Sequence, residues 1–556
     1  MPENLSNRTS GSKTRYSRLK IAATVIDFEK AKLNAESQRD FARKADVPRT
    51  TLQGWIKRLN AIPCDPEIRH FCESPVGYEF IHRIVTAAQY TFSAKGDAGI
   101  RQTGQFLKLS GLNNFVASSY GSLQKSVRLM EENIIIYGDK RQAKLAQMPP
   151  KNITICEDET FFPDTCLVAI EPVSGFIFLE EFSEKRDAKS WNDSLKKSIG
   201  NLPVNIIQSV SDEAKGIISH VNKGLGAHHS PDLFHILQDI HKGTGPSIRA
   251  HIRHAVKEHE DAVENIKSKL LIRYEYSENI DFRGPGRPPN LDKHVESSYS
   301  RLGTTRENIL SVKDLKEAVA TQVNGISTDY HPIDLATGKE RKSGIVKSDL
   351  EQRFEAINVI SDEIVLPEKS QKKIRRAENL VPKMAATIAF FWKMVEMLLA
   401  DKIFSPISRK LFYSTLIPLS YLKLVHNKAP KAQRKIIENT IVNLMKELYA
   451  SSSSFSALNP EMQAYFLNLA NQCAEIFQRS SSCVEGRNGA LSLHHHARRG
   501  ITPKRLQALT VIHNFGIKRD GMTAAERLSG IKQPDLFEWL LTQQPLEAKP
   551  ILSKTG

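Results

Sequence analysis

No stretch of this 556-residue chain approaches the roughly 18 uninterrupted apolar residues that a membrane-spanning helix needs. Its first fifteen residues, MPENLSNRTSGSKTR, lack the apolar core of a secretory signal. A protein that is neither exported nor inserted in a bilayer is expected, and so a cytoplasmic one. Cysteine is scarce: the six residues at 64, 72, 156, 166, 473 and 483 form no Cys-x-x-Cys pair. That excludes a zinc ribbon or a redox dithiol and leaves reduced thiols as the expectation. Acidic residues are the minority, 62 against 78 Lys and Arg, for a formal charge of +16. Such an excess favours a polyanionic partner. With no lipid-attachment signal and no basic amphipathic helix, nucleic acid fits better than a membrane surface. Internal repeats are absent too. What is present is an ordinary globular composition, 40% hydrophobic and 25% charged, on a chain long enough for three or four structural units.

Residues 1–15 are polar and suit a flexible arm. From Tyr16 the apolar residues take helical spacing, and three short helices fit 16–62. Residues 63–148 suggest a second helical region, with helix-like runs at Phe80 to Tyr90 and Leu123 to Ile136. Pro149 and Pro150 then punctuate the chain. Three short apolar runs follow, Ile153 to Asp158, Cys166 to Ile170 and Phe176 to Phe182, which read as a strand meander. A helix over Asp187 to Ile199, a strand over Val204 to Val210, a helix over Ala214 to Val221 and a strand over Ala227 to Asp232 complete the order of an RNase H-like core (149–245). Residues 246–470 read as a basic helical insertion. The apolar run Ala385 to Tyr421 within it is broken by charges, as in a buried helix pair. Residues 471–518 would return to the core, and 519–556 would form a C-terminal tail. The fold class expected is α/β plus all-α.

Asp158 is expected to end the first strand and Asp212 to end the fourth. Those strands are neighbours in this topology, so two carboxylates meet at one sheet edge. Hard divalent cations take carboxylate oxygens, and a pair of ions can clamp the attacking and leaving oxygens of a phosphodiester. The third acid expected is Glu485, on a helix whose flank (Ser481, Ser482, Asn488, Gly489, Ser492) is small and polar. Its buried side would hold Cys473, Ile476, Phe477, Val484 and Leu491. Glu157, Glu159 and Glu213 are the nearest rivals. The run His494, His495, His496 points in three directions on a helix and suits a solvated or DNA-facing segment better than zinc.

These features resemble insertion-sequence DDE transposases, in which a large helical insertion separates the second Asp from the final Glu. The resemblance covers about Lys151 to His241 and Ser480 to Lys518. It rests on the three acids, on Ser230-Pro231-Asp232-Leu233-Phe234-His235 with its Asp-x-x-His, on Cys483 to Asn488, and on Ala508 to Lys518. The Tyr-x-x-Arg-x-x-x-Glu pattern of one large transposase group is absent. The resemblance implies metal-dependent cleavage and strand transfer at the ends of a mobile element. Asp158, Asp212 and Glu485 would hold Mg2+ or Mn2+, two ions in all, with Asp232 and His235 in support behind them. Double-stranded DNA (element ends and target) would be the partner, and a homo-oligomer would assemble on it, associated with the nucleoid. An RNase H-fold nuclease that does not join strands, or a domesticated DNA-binding protein without catalysis, are the alternatives.

The N-terminal segment has the layout of a helix-turn-helix, packed by Phe41, Val47, Leu52, Ile56 and Leu59. Pro48 suits a first helical turn, and Arg49, Thr50, Gln53 and Lys57 would face a major groove. Arg283 to Pro289 contains the Gly-Arg-Pro core of an AT-hook, whose Arg287 would enter a narrow minor groove.

Overall fold

The computed structural model describes residues 16–547 except 17, 61, 163, 279–286, 288, 401, 403 and 499. The arm at 1–15, most of the Arg283 to Pro289 motif and residues 548–556 lie outside the described residues, as does the Leu59 side chain.

Three helices, α1 (Arg18–Leu33), α2 (Gln38–Lys44) and α3 (Arg49–Asn60), open the chain. They close on a small core of their own: Val25, Phe28, Ala42, Val47, Leu52 and Trp55, with Phe41 and Ile56 at its edge. Ser37 caps α2 by accepting from the Asp40 amide, and Asp46 turns the chain toward α3 at φ 52°. Arg49, Thr50, Gln53 and Lys57 are exposed on α3. The next region holds α4 (Pro66–Glu73), α5 (Pro75–Ala88), α6 (Ile100–Leu109) and α7 (Tyr120–Leu145).

A five-stranded sheet follows, from β1 (Lys151–Phe162), β2 (Asp164–Ile170), β3 (Ile177–Ser183), β4 (Val204–Ser211) and β5 (His228–Pro231). Its order is β3-β2-β1-β4-β5. The first three strands form an antiparallel meander, and β4 and β5 run parallel to β1. The crossover from β3 to β4 is α8 (Ala188–Ile199), and α9 (Lys215–Ser219) links β4 to β5. Period-two alternation in β1 gives each face its own core. Ile153 and Ile155 pack with Trp191 and Leu195 of α8. Cys156 packs with Val168, Val210, Val484 and Leu491 on the other face.

After β5 the described residues run through α10 (Leu233–Glu278), α11 (Leu291–Asp329), α12 (Ser343–Glu363), α13 (Glu368–Glu378), α14 (Val381–Ala400), α15 (Pro406–Leu411), α16 (Ile417–His426), α17 (Lys431–Leu448) and α18 (Pro460–Glu475). They share one large apolar core that includes Phe354, Phe391, Phe412, Tyr421 and Phe466. No helix among the described residues is long and apolar enough to cross a membrane. The first of these helices passes unbroken through residue 245, where the sequence suggested that the sheet-bearing part ends.

The chain returns to the sheet in α19 (Ser482–Arg498) and α20 (Pro503–Val511), then forms a short hairpin of β6 (Lys518–Arg519) and β7 (Met522–Thr523), and ends in α21 (Ala524–Ser529) and α22 (Leu536–Gln543). The segment expected as a tail is therefore packed structure as far as it is described. Ala524, Ala525, Leu528, Leu536 and Leu540 are buried in the same core as Trp191. A capping box, Thr523 with Glu526, starts α21.

Both edges of the sheet are covered, which removes the hazard of unpaired strand amides. At β3 the Asn514 side chain accepts from the Ile177 amide and donates to the Ile177 carbonyl, both at 2.9 Å. At β5, Thr387 of α14 donates to Ser230 at 3.0 Å, and Phe390 stacks on His228.

Candidate active site

Register brings the first two acids together. The pairing of β1 with β4 reaches Glu157 opposite Ser211, so the next residues are Asp158 and Asp212. Contrary to expectation, Asp158 does not end β1. The strand continues to Phe162 because β2 still pairs with it, Asp158 lying opposite Val168. What ends at this point is β4, and Asp158 stands where the sheet loses a neighbour on that side. Asp212 turns the chain after β4 by accepting from the Ala214 amide at 3.0 Å.

The third acid arrives through a closure at the root of the helical insertion. Asp232, buried just after β5, accepts from the Ser481 amide at 3.2 Å and from the Ser481 hydroxyl at 2.5 Å, across 249 residues of sequence. The Leu233 amide donates to the Arg479 carbonyl at 2.9 Å beside it. Arg479 in turn donates to the Ser327 and Tyr330 carbonyls, fixing this return strand to α11. The insertion therefore leaves and re-enters at one place, and α19 starts next to the carboxylates. Glu485 occupies its first turn, where the helix dipole favours an anion.

The expected buried side of one continuous helix is corrected here. Residues Ile476 to Ser481 are not helical, so Cys473 and Phe477 belong to the insertion core while Val484 and Leu491 pack on the sheet. The break is what frees the Ser481 amide to reach Asp232.

A buried ion pair locks α19 in place. Arg487 donates from Nε and from one terminal nitrogen to the two Glu180 oxygens of β3, at 2.7 and 2.6 Å, and Thr510 of α20 donates to the same carboxylate. One turn beyond Glu485, the Asn488 amide donates to Asp158 at 2.9 Å. Its own Oδ1 is buried without a partner.

Electrostatics tie the group together. Burial pushes the Asp158 carboxyl up to about 7; the Glu159 amide opposes this, while the negative charges of Glu485 and Asp212 add to it. His235 is held above its ordinary value, chiefly by its hydrogen bond to Asp232 at 2.7 Å and further by the charges of Asp158 and Asp212. Burial raises Asp232, but its bonds with His235 and Ser481 outweigh this and leave it below the usual carboxylate range. An imidazole whose protonated form is favoured thus stands beside the acids, supported by the buried Asp232.

The rivals are engaged elsewhere. Glu157 is fully buried on the opposite face, bonded to Ser209 and, at 3.1 Å, to His220, which also bonds Asn192. Glu159 accepts from Trp191 and Arg186, and Glu213 from Lys383. Among the described residues, no three His, Cys, Asp or Glu side chains converge tightly enough to hold a metal ion. His494, on the last turns of α19, is lowered to about 4 by burial and nearby arginines. All six cysteines are free thiols. Arg287 is exposed in the connection between α10 and α11, far along the chain from the carboxylates.

Two contributors were not singled out from sequence. Asn488 was noted only as polar flank, although its place three residues after Glu485 puts both on one helical face. Arg487 fell within the Cys483 to Asn488 block but was given no role, and Glu180 carried no signal of its own.

Residues 412–555 match a family of unknown function, DUF6399. The matched span contains Glu485, Arg487 and Asn488. No curated protein matches the chain.

Proposed function

We propose that the protein is a DDE-type transposase with an RNase H-like core, cutting and joining DNA at the ends of a mobile element. What supports this reading is that Asp158 and Asp212 directly follow paired positions of β1 and β4 in a β3-β2-β1-β4-β5 sheet, and that the raised Asp158 carboxyl feels the charge of Glu485, brought back to the sheet by the closure at Asp232 and Ser481.

The donor set suits a hard cation: it is all carboxylate oxygen, and its members already repel one another. Mg2+ or Mn2+ held by Asp158, Asp212 and Glu485 would supply Lewis-acid stabilisation to a phosphodiester. The protein's own residues do the positioning. Asn488 orients the Asp158 carboxylate, Asp232 fixes the His235 ring and the start of α19, and Arg487 holds that helix to β3. His235 offers a proton donor toward a phosphate oxygen. Residues of α3, namely Arg49, Thr50, Gln53 and Lys57, would read the DNA ends from a separately packed module, and Arg287 would add a minor-groove contact.

The deciding experiment incubates purified protein and Mn2+ with duplex fragments carrying the DNA that flanks its coding region. Cleavage with joining of the freed 3′ hydroxyl to a target supports a transposase. Cleavage alone points to a nuclease, and end binding without cleavage to a DNA-binding protein. Asp158→Asn, Asp212→Asn and Glu485→Gln should each abolish cleavage and joining while end binding persists. Full strand transfer by Glu485→Gln would remove that residue from the site.

A further inference from the structure

A cavity of about 410 Å³, open to solvent, is lined by Glu213, Lys372, Arg375, Arg376, Asn379, Leu380 and Lys383. Its link to the candidate active site is Glu213, the residue after Asp212 in the chain. Four of its lining side chains are cationic and one is acidic. Lys372, Arg375 and Arg376 share one face of α13, Asn379 caps its end, and Lys383 joins them from the first turn of α14. Folding does not require that stripe. The opposite side of α13 does the packing, with Ile374 and Ala377 buried, and Gly243 of α10 approaches so closely that a Cβ there would stand 3.1 Å from the Ser370 carbonyl oxygen.

Three of the cations are only loosely engaged. Lys372 pairs with Glu368 on its own helix at 2.7 Å, with both side chains exposed. Arg376 stands 3.6 Å from Asp239. Arg375 donates to Gln371 at 3.2 Å. Exposed contacts of this kind are weak and exchange readily for a stronger anion. Lys383 is held more closely, by the largely buried Glu213.

We infer that this stripe holds the sugar–phosphate backbone of duplex DNA as it passes Asp212, an inference that rests on the DNA-cutting reading above. A protein partner would need an apolar anchor, and Leu380 is the one apolar side chain in the lining. Backbone docking needs cations and amide donors without apolar surface, which Lys372, Arg375, Arg376, Lys383 and Asn379 supply. The planar forks of Arg375 and Arg376 suit phosphate oxygens. Phosphate docking draws Lys383 from Glu213 and brings the strand to the carboxylates.

The test uses the full chain and a labelled duplex of arbitrary sequence, without divalent cations, across a salt series. The triple variant Lys372→Gln/Arg375→Gln/Arg376→Gln is compared with Lys431→Gln/Lys435→Gln/Lys446→Gln, which removes the same charge from exposed positions on α17. Each lost phosphate contact should lower the slope of log affinity against log salt by about 0.9, so the first variant should lose up to ~3 and the second close to none. If the triple variant melts abnormally, Arg375→Gln alone reports the same site with a loss of about 0.9. Equal slopes for the two triple variants overturn the inference and leave the active-site reading intact. No DNA binding by the unaltered protein overturns both.

Discussion

Arg487 and Glu180 form a buried, two-pronged ion pair that joins α19 to β3. Through it, the helix that carries Glu485 is tied to the sheet that carries Asp158. Arg487→Ala leaves a buried carboxylate whose remaining donor is Thr510 and should cost on the order of 3–5 kcal/mol. Arg487→Lys should not restore this fully, because an ammonium cannot fill both prongs. Urea unfolding measures it; a loss below ~1 kcal/mol would mean that the pair is dispensable.

Asp158 gives a pH signature without DNA. Its carboxyl is raised to about 7 in the folded protein from an ordinary value of 3.8. Well below 3.8 it is protonated both folded and unfolded and has no effect. As pH rises from there toward 7 the unfolded chain ionises first, so stability is lost across this window and stays lost above it. At about 1.4 kcal/mol per pKa unit the loss is at most ~4 kcal/mol. Without divalent ions, Asp158→Asn should therefore be more stable than the unaltered protein at about pH 8, with the gap closing as the pH falls below 3.8. Added Mg2+ should narrow the gap at pH 8. A variant less stable at both ends of this range contradicts the raised carboxyl.

Asn488→Ala removes a donor that favours the ionised form of Asp158. The acidic limb of the cleavage–pH profile should move to higher pH, with activity recovering in alkaline buffer. A uniform loss at every pH would instead mean that Asn488 serves only packing.

On α3, Arg49→Ala/Gln53→Ala/Lys57→Ala should weaken binding to element ends at least ~10-fold and leave the melting temperature unchanged, since all three are exposed. Competition binding with unrelated DNA checks it. End preference surviving the triple change would place recognition elsewhere.

The sheet was legible because its strands are short apolar runs bounded by turn-forming residues, and Asp158 and Asp212 fall where those runs stop. Where Asp158 sits within its strand was not legible, since Glu159 to Phe162 carry no apolar pattern and are held by β2 alone. Cys473 and Val484 looked like one helical face because helical spacing does not reveal a break such as Ile476 to Ser481; that break is set by Asp232, 249 residues away. The C-terminal segment was expected only as a tail, yet Ala524, Ala525, Leu528, Leu536 and Leu540 are buried in the core that holds Trp191, a docking that sequence spacing does not announce. The Glu157–His220 pair was invisible for the opposite reason: its acid lies next to Asp158 in sequence, and only strand alternation sends it to the other face.

The first helix of the insertion begins at Leu233, next to the residue that anchors the carboxylate site, and runs 46 residues to Glu278, with α11 packed against it. At about 1.5 Å per residue that is a rod on the order of 70 Å, somewhat less with Pro246 in its path. Duplex DNA rises about 3.4 Å per base pair, so the rod has the reach of roughly 20 base pairs. On the DNA-cutting reading proposed above, a DNA contact at the far end of α10 would stand one helix length from Asp232, and shortening α10 and α11 by matched turns would shift that contact along the DNA in proportion.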